Sequence, residues 1–205
     1  MNYSEFYSML LPYLNIRGNS MLFTQASISY NTNIAIQQIY NEYRWAFQFK
    51  TIILNSFIQV GTKYKATIVD SVKYPVEVNY KDKSYNCENI TETLTPSKSI
   101  LDFNEWTFMY YNKEVTVHKD KECYFSYFQQ YEFKDYLADT WVELPIPTSF
   151  IPALYYLVLS QIDPIYVQQA EGQIYNHYNK YQLEINKLKQ DEVPVAVSFY
   201  WANPK

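Results

Sequence analysis

The apolar residues of this chain recur with a helix's period at its two ends and with a strand's period in its middle, so one element type alone does not satisfy the pattern. An amphipathic stripe and a pleated face must each bury against something else, which predicts an α+β fold. Near the N-terminus, Phe6, Met9, Leu10, Tyr13 and Leu14 share one face and predict a helix over Glu5–Leu14, with Ser4 as N-cap and Pro12 as a kink or an end. Arg17 to Tyr30 reads as an irregular connector. Thr32 or Asn33 then caps a second helix running to Tyr43, with Ile36, Ile39 and Tyr40 on its apolar side. From Trp45 the spacing becomes alternation, with Trp45, Phe47 and Phe49 on one side, and predicts a strand over Trp45–Leu54.

The middle is rich in β-formers broken by polar clusters. Tyr64–Asp70, Val76–Tyr80, Thr107–Tyr111, Glu114–His118 and Cys123–Tyr131 each alternate or nearly so, which predicts a small antiparallel sheet or sandwich. Asn112-Lys113 sits where a tight hairpin turn belongs, since Asn tolerates positive φ, and Lys81–Lys98 reads as the longest loop. Leu144-Pro145-Ile146-Pro147 is extended, and Thr148 or Ser149 caps a buried helix over Ser149–Gln161. Asp163-Pro164 looks like a further helix start; from it Val167, Ile174, Tyr178, Tyr181, Ile185 and Leu188 form one stripe of a long helix over Pro164–Gln190. Val195 to Trp201 is a short strand or an extended arm. The resulting plan is a helical domain, made of an N-terminal helix plus two C-terminal helices, with an inserted antiparallel β-sheet or sandwich. Residues 1–61 hold the N-terminal helical segment and first strand, 62–137 the β-rich insert, 138–192 a C-terminal helical hairpin, and 193–205 a C-terminal arm.

Composition excludes several classes of function. With 17 Lys+Arg against 21 Asp+Glu the net charge is −4, and no basic cluster is present to neutralise phosphates. A 19% aromatic content excludes a disordered chain, although the abundance of Tyr, Asn, Ile and Lys over Arg also fits A/T-rich codons, so Tyr alone is no sign of ligand binding. The longest apolar run, Phe150–Leu159, contains Pro152 and falls short of the ~20 residues that span a bilayer. Met1–Asn15 lacks the basic start of a secretory signal, which leaves Cys87 and Cys123 as reduced, half-buried thiols and the sequons at Asn2 and Asn89 without weight.

Chemistry is sparse. His118 closes a strand beside Lys119 and Asp120, and His177 lies one position off an apolar stripe; neither belongs to a zinc-binding spacing. Pairing Cys87 or Cys123 with His118 as a nucleophile has no further support. Gly18, Gly61 and Gly172 are too few and too scattered for a phosphate-cradling loop. The carboxylate pairs Asp139 with Glu143 and Asp191 with Glu192 sit at element boundaries, where solvated charge is the ordinary case. No catalytic residue, cofactor or metal site is therefore expected. The remaining feature is aromatic: Tyr110-Tyr111 and Tyr124, Phe125, Tyr127, Phe128 and Tyr131 put rings on both faces of a strand, for packing, for a partner, or as a platform for sugar rings in a carbohydrate-binding module.

The order of segments carries a resemblance. A capped helix ending in Tyr43-Arg44-Trp45-Ala46-Phe47, a β-rich insert, the extended step Glu143-Leu144-Pro145, an apolar helix and an amphipathic helix closing with Leu183 to Asp191 together resemble the head-to-tail adaptor (connector) and tail ring proteins of tailed bacteriophages, over about Thr32 to Glu192. Arg44 stands where that family often has proline, and the aromatic-rich insert is longer than in the smaller adaptors. The resemblance implies a non-enzymatic virion protein, assembled in the bacterial cytoplasm as a homo-oligomeric ring, typically twelve-fold, beneath the portal protein. Such a ring extends the DNA channel, docks tail proteins, lets DNA pass without specific binding, and involves no membrane. It also implies partner contacts through the polar surface marked by Gln168, Glu171 and Asn179 and through an arm bearing Phe199, Tyr200 and Trp201.

Overall fold

The computed structural model describes residues 1–17, 24–80, 86–89, 107–163, 167–170 and 173–192. The fold is α+β, with helices at both ends of the described residues and a sheet between them. Two compact units result: Met1–Phe47 with Tyr131–Pro194, and the intervening Gln48–Gln130. The β region thus begins well before residue 62, and the chain re-enters the helical unit at Tyr131.

The helical unit opens with α1 (Tyr3–Arg17). Its cap is a reciprocal box in which Asn2 Oδ1 accepts from the Glu5 N–H (2.8 Å) and Glu5 Oε2 accepts from the Asn2 N–H (3.0 Å), so Asn2 takes the place expected of Ser4. The helix also runs through Pro12 rather than ending there. Leu10 and Leu14 are buried on either side of that proline, and their packing outweighs one lost backbone bond. Helix α2 (Gln25–Glu42) starts seven residues before Thr32, capped by Thr24, whose hydroxyl accepts from the Ser27 N–H; the expected connector is helical from Gln25. Thr32 and Asn33 sit inside it and bond back to the Ile28 and Ser29 carbonyls, an alternative use of the side chains that suit a cap.

The predicted strand over Trp45–Leu54 begins only at Phe49. Ala46–Gln48 is a 3-10 turn, and Trp45 and Phe47 pack into the helical core. Their alternation reflects two rings turned inward from a bend, not a pleat. After the chain returns at Tyr131, a 3-10 turn (Thr148–Phe150) leads into α3 (Ile151–Ile162), which buries Ala153, Leu154, Leu157, Val158 and Leu159. The expected long helix over Pro164–Gln190 is not formed. β9 (Val167–Ala170) and β10 (Gln173–Asn176) pair as a hairpin, with Val167 opposite Asn176, and only then does α4 (His177–Asp191) begin, capped by Asn176. Val167 and Ile174 matched the helical stripe by spacing alone, and Gly172 between them is a residue that disfavours helix and suits a hairpin.

The β unit is one sheet in the order β1-β8-β4-β5-β6-β7-β3-β2. Its strands are β1 (Phe49–Leu54), β2 (Ile58–Val60), β3 (Lys63–Thr67), β4 (Val72–Tyr80), β5 (Asn86–Asn89), β6 (Thr107–Tyr111), β7 (Glu114–Val117) and β8 (Cys123–Gln129). The sequence pattern predicted neither β2 nor β5, and β5 lies within the expected Lys81–Lys98 loop. Pairing is antiparallel throughout except between β5 and β6, which run parallel, a departure from the expected all-antiparallel sheet. Pro75 lies in β4, an interior strand, and the register slips on both sides of it because proline donates no ladder bond. Phe108 of β6 meets Phe125 of β8 edge to face at 5.8 Å although two strands separate them in sheet order, so the sheet curls around a core that includes Val78, Val115 and Val117.

The β6–β7 turn forms as expected, with Asn112 at φ 50° and Lys113 at φ 62°. Lys is poorly suited to that left-handed conformation. Lys113→Gly is expected to raise stability by up to about 1 kcal/mol, and the β-branched Lys113→Val to lower it by about 1 kcal/mol or more. Urea denaturation of the two variants beside the wild type checks the order.

Candidate functional site

Three elements of the helical unit meet at one cleft among the described residues. Tyr13 projects from α1, Asp163 is the C-cap of α3, and His177 is the first residue of α4. The Tyr13 phenol donates to Asp163 Oδ2 at 2.6 Å, and His177 Nε2 lies 3.0 Å from the same phenolic oxygen. With the phenol hydrogen committed to the carboxylate, the imidazole must donate, so one chain runs from His177 through Tyr13 to Asp163. The two rings stand nearly perpendicular at 5.1 Å. Beside them is an opening of about 240 Å³ lined by Ser160, Asp163, Asn176, His177 and Tyr178.

The arrangement orients an imidazole without activating a nucleophile. Ser160 Oγ donates to the Leu157 carbonyl (2.7 Å), a bond within its own helix. His177 is buried rather than a boundary residue as expected, and its work is to join α4 to α1. His118 lies in the β unit, half-buried, with Nδ1 3.3 Å from Lys63 Nζ. Cys123 is wholly buried at the start of β8, deeper than the half-buried thiol expected. No group of three His, Cys, Asp or Glu side chains is arranged to hold a metal among the described residues. No helix among them is long and apolar enough to cross a membrane.

The carboxylate pairs have structural jobs. Asp139 Oδ1 accepts from the Trp141 N–H (2.9 Å), and Glu192 Oε1 accepts from the Ala46 N–H (2.9 Å), tying the end of α4 to the bend after α2. Lys189 adds a salt bridge to Glu42 at 2.9 Å. Of the aromatic set, Phe125, Tyr127, Phe128 and Tyr131 are buried and Tyr124 half-buried, so both faces of β8 are packed, while on β6 Tyr110 is half-buried and Tyr111 73% exposed. Of the predicted stripe, Tyr181 and Ile185 are buried and Leu188 packs at the core's margin, but Tyr178 is 48% exposed. Asn179 is exposed on the first turn of α4, where its N–H bonds Asn176 Oδ1 (2.7 Å). Gln168 stands opposite Tyr175 in the β9–β10 hairpin, while Glu171, Phe199, Tyr200 and Trp201 lie outside the described residues.

One carboxylate is held in an unfavourable setting. On the sheet face opposite the core, Glu77 stands across from Ser126, itself bonded to Thr51 (3.0 Å). Burial raises the Glu77 carboxyl above its ordinary value, and a Ser126 hydrogen bond offsets this in part. Between the ordinary and the raised value the folded chain binds more protons than the unfolded one, so Glu77's contribution to stability falls as pH rises through that window. Glu77→Gln is expected to remove this slope, seen as a smaller loss of stability over the same pH range in denaturant titrations.

No protein-family model matches this chain, and no curated protein matches it. The His177–Tyr13–Asp163 chain joins α4, α1 and the C-cap of α3. Tyr13→Phe leaves a buried imidazole and a carboxylate without their shared partner and is expected to cost about 1–3 kcal/mol in chemical denaturation.

Proposed function

We propose that this chain is a non-enzymatic structural subunit of a phage virion, a head-to-tail adaptor that forms a ring beneath the portal, extends the DNA channel and docks the tail. The observation that carries the reading is the order of units: a β-rich insert, Gln48–Gln130, leaves a helical unit after Phe47 and re-enters it at Tyr131. This is the arrangement expected from the resemblance at Tyr43–Phe47 and Glu143–Pro145. A net charge of −4 suits a channel through which DNA slides without sticking. Asn179, exposed and uncharged on the first turn of α4, suits burial against a neighbour at modest desolvation cost. The packed rings of β8 give the carbohydrate-binding alternative no platform there.

The test is sedimentation with the portal ring and tail proteins encoded beside this chain. Portal addition, rather than concentration alone, is expected to drive assembly into a ring, and truncation before Val195 to weaken attachment to the next ring. A chain that never sediments with the portal, or that stays monomeric beside it and binds glycan tightly, overturns the proposal.

A further inference from the structure

The apolar side chains most exposed in the helical unit include three on one loop. Trp141 is 73% exposed and Phe133 and Leu137 49% each, all in the irregular segment between Tyr131 and Leu144. That segment is held at many points. Asp135 Oδ1 accepts from the N–H groups of Leu137 and Ala138 (3.1 Å each), and Asp139 Oδ1 accepts from that of Trp141. On either side of Trp141, the Thr140 and Val142 carbonyls accept from Ser4 and Tyr3 of α1 at 2.9 and 3.0 Å. Tyr136 is wholly buried and stacks on Tyr3 at 4.6 Å. A tryptophan held out on a backbone anchored at both flanks loses little entropy on docking, which is how the dominant side chains of interfaces are arranged. The same segment carries Glu132, Asp135, Asp139 and Glu143 against Lys134, a negative balance that favours a basic partner surface.

The β unit carries a surface of net positive charge, with Lys63 and Lys65 against one carboxylate, Glu114. Strand β2 is the last in the sheet order, and its Ile58 and Val60 are 71% and 50% exposed. Register places Ile58 opposite Lys65 and Val60 opposite Lys63, so two apolar and two cationic side chains share one face at the corner of the sheet. Lys65 also reaches Glu114 at 2.8 Å, and Lys63 lies beside His118. Exposed β-branched residues on an edge strand are the kind of surface that single-chain proteins usually blunt.

We infer that the acidic Trp141 loop of one copy docks on the basic β2–β3 corner of a second copy. The inference rests on the adaptor reading and deepens it. Because the two surfaces differ, the contact is heterologous and passes from one subunit to the next, closing into a ring when the rotation closes.

Disulfide trapping tests the contact. Full-length chains carrying Leu137→Cys and, separately, Val60→Cys are mixed under mild oxidation with and without portal rings, each with its own size tag. A covalent dimer containing one of each is expected, and Trp141→Ala in the Leu137→Cys chain is expected to weaken its formation about 30-fold in the concentration required. Circular dichroism confirms that each variant is folded. Restored capture when Glu143→Lys in one chain meets Lys63→Glu in the other supports the charge pairing. If the wild-type chain sediments on the portal but no mixed dimer forms, this contact is overturned and the adaptor reading stands. A mixed dimer without portal binding keeps the contact and overturns that reading, and the absence of both overturns both.

Discussion

Everything in the helical unit depends on bringing three distant stretches of chain to one aromatic cluster. Trp45 is wholly buried, donates its indole N–H to the Ile39 carbonyl (2.7 Å), and meets Phe150 edge to face at 4.8 Å. Phe47 packs against the same ring at 5.0 Å and against Tyr40 at 5.3 Å, and Tyr40 in turn lies 5.4 Å from Tyr131. The cluster therefore joins the point where the chain leaves for the sheet, the point where it comes back, and the start of α3. Neither end of the chain builds this core alone. An insertion is tolerated there because closing a longer excursion costs only ~0.6 kcal/mol for each doubling of its length.

Polar groups make the same junction specific. Asn33 is buried in α2 and uses its amide fully: Oδ1 accepts from the Tyr131 phenol and the Lys134 N–H (2.9 Å), and Nδ2 donates to the Ser29 (3.1 Å) and Lys134 (3.0 Å) carbonyls. Burial pushes the Tyr131 phenol far above its ordinary range and that of Tyr40 up to about 12, so both stay neutral donors. Tyr40 donates to the Pro145 carbonyl at 2.6 Å, which fixes the extended step before α3. A shift of any of these segments would leave buried donors and acceptors unpaired, at about 1–3 kcal/mol each. Aromatic packing supplies the burial and these bonds select one arrangement of it.

The helical unit and the β unit are each built on a core of their own. The His–Tyr–Asp chain binds helix to helix, and Trp141, Leu137, Ile58 and Val60, among the apolar side chains left outward, are carried on tied loops or on a sheet edge. Their exposure is a cost to an isolated chain, and the proposed assembly would cover it.

Local periodicity was enough to read the α+β class, the buried helix after Ser149 and the hairpin turn at Asn112-Lys113, because each depends on neighbours in sequence. Spacing alone misread Pro164–Gln190, where Val167 and Ile174 fit a helical stripe yet lie in a hairpin, and Trp45–Phe47, where alternation came from a bend. Caps were ambiguous for a chemical reason: Thr and Asn serve at a helix start and equally bond back to a carbonyl inside one. The joint of Tyr13, Asp163 and His177 had no sequence signal, since its members lie about 150 residues apart in part and meet only through packing. The sequence by itself determined which segments must be buried and with what period. Only the tertiary structure decided which polar side chains meet, which rings face outward and where the helices begin, because those outcomes depend on partners brought together from distant parts of the chain.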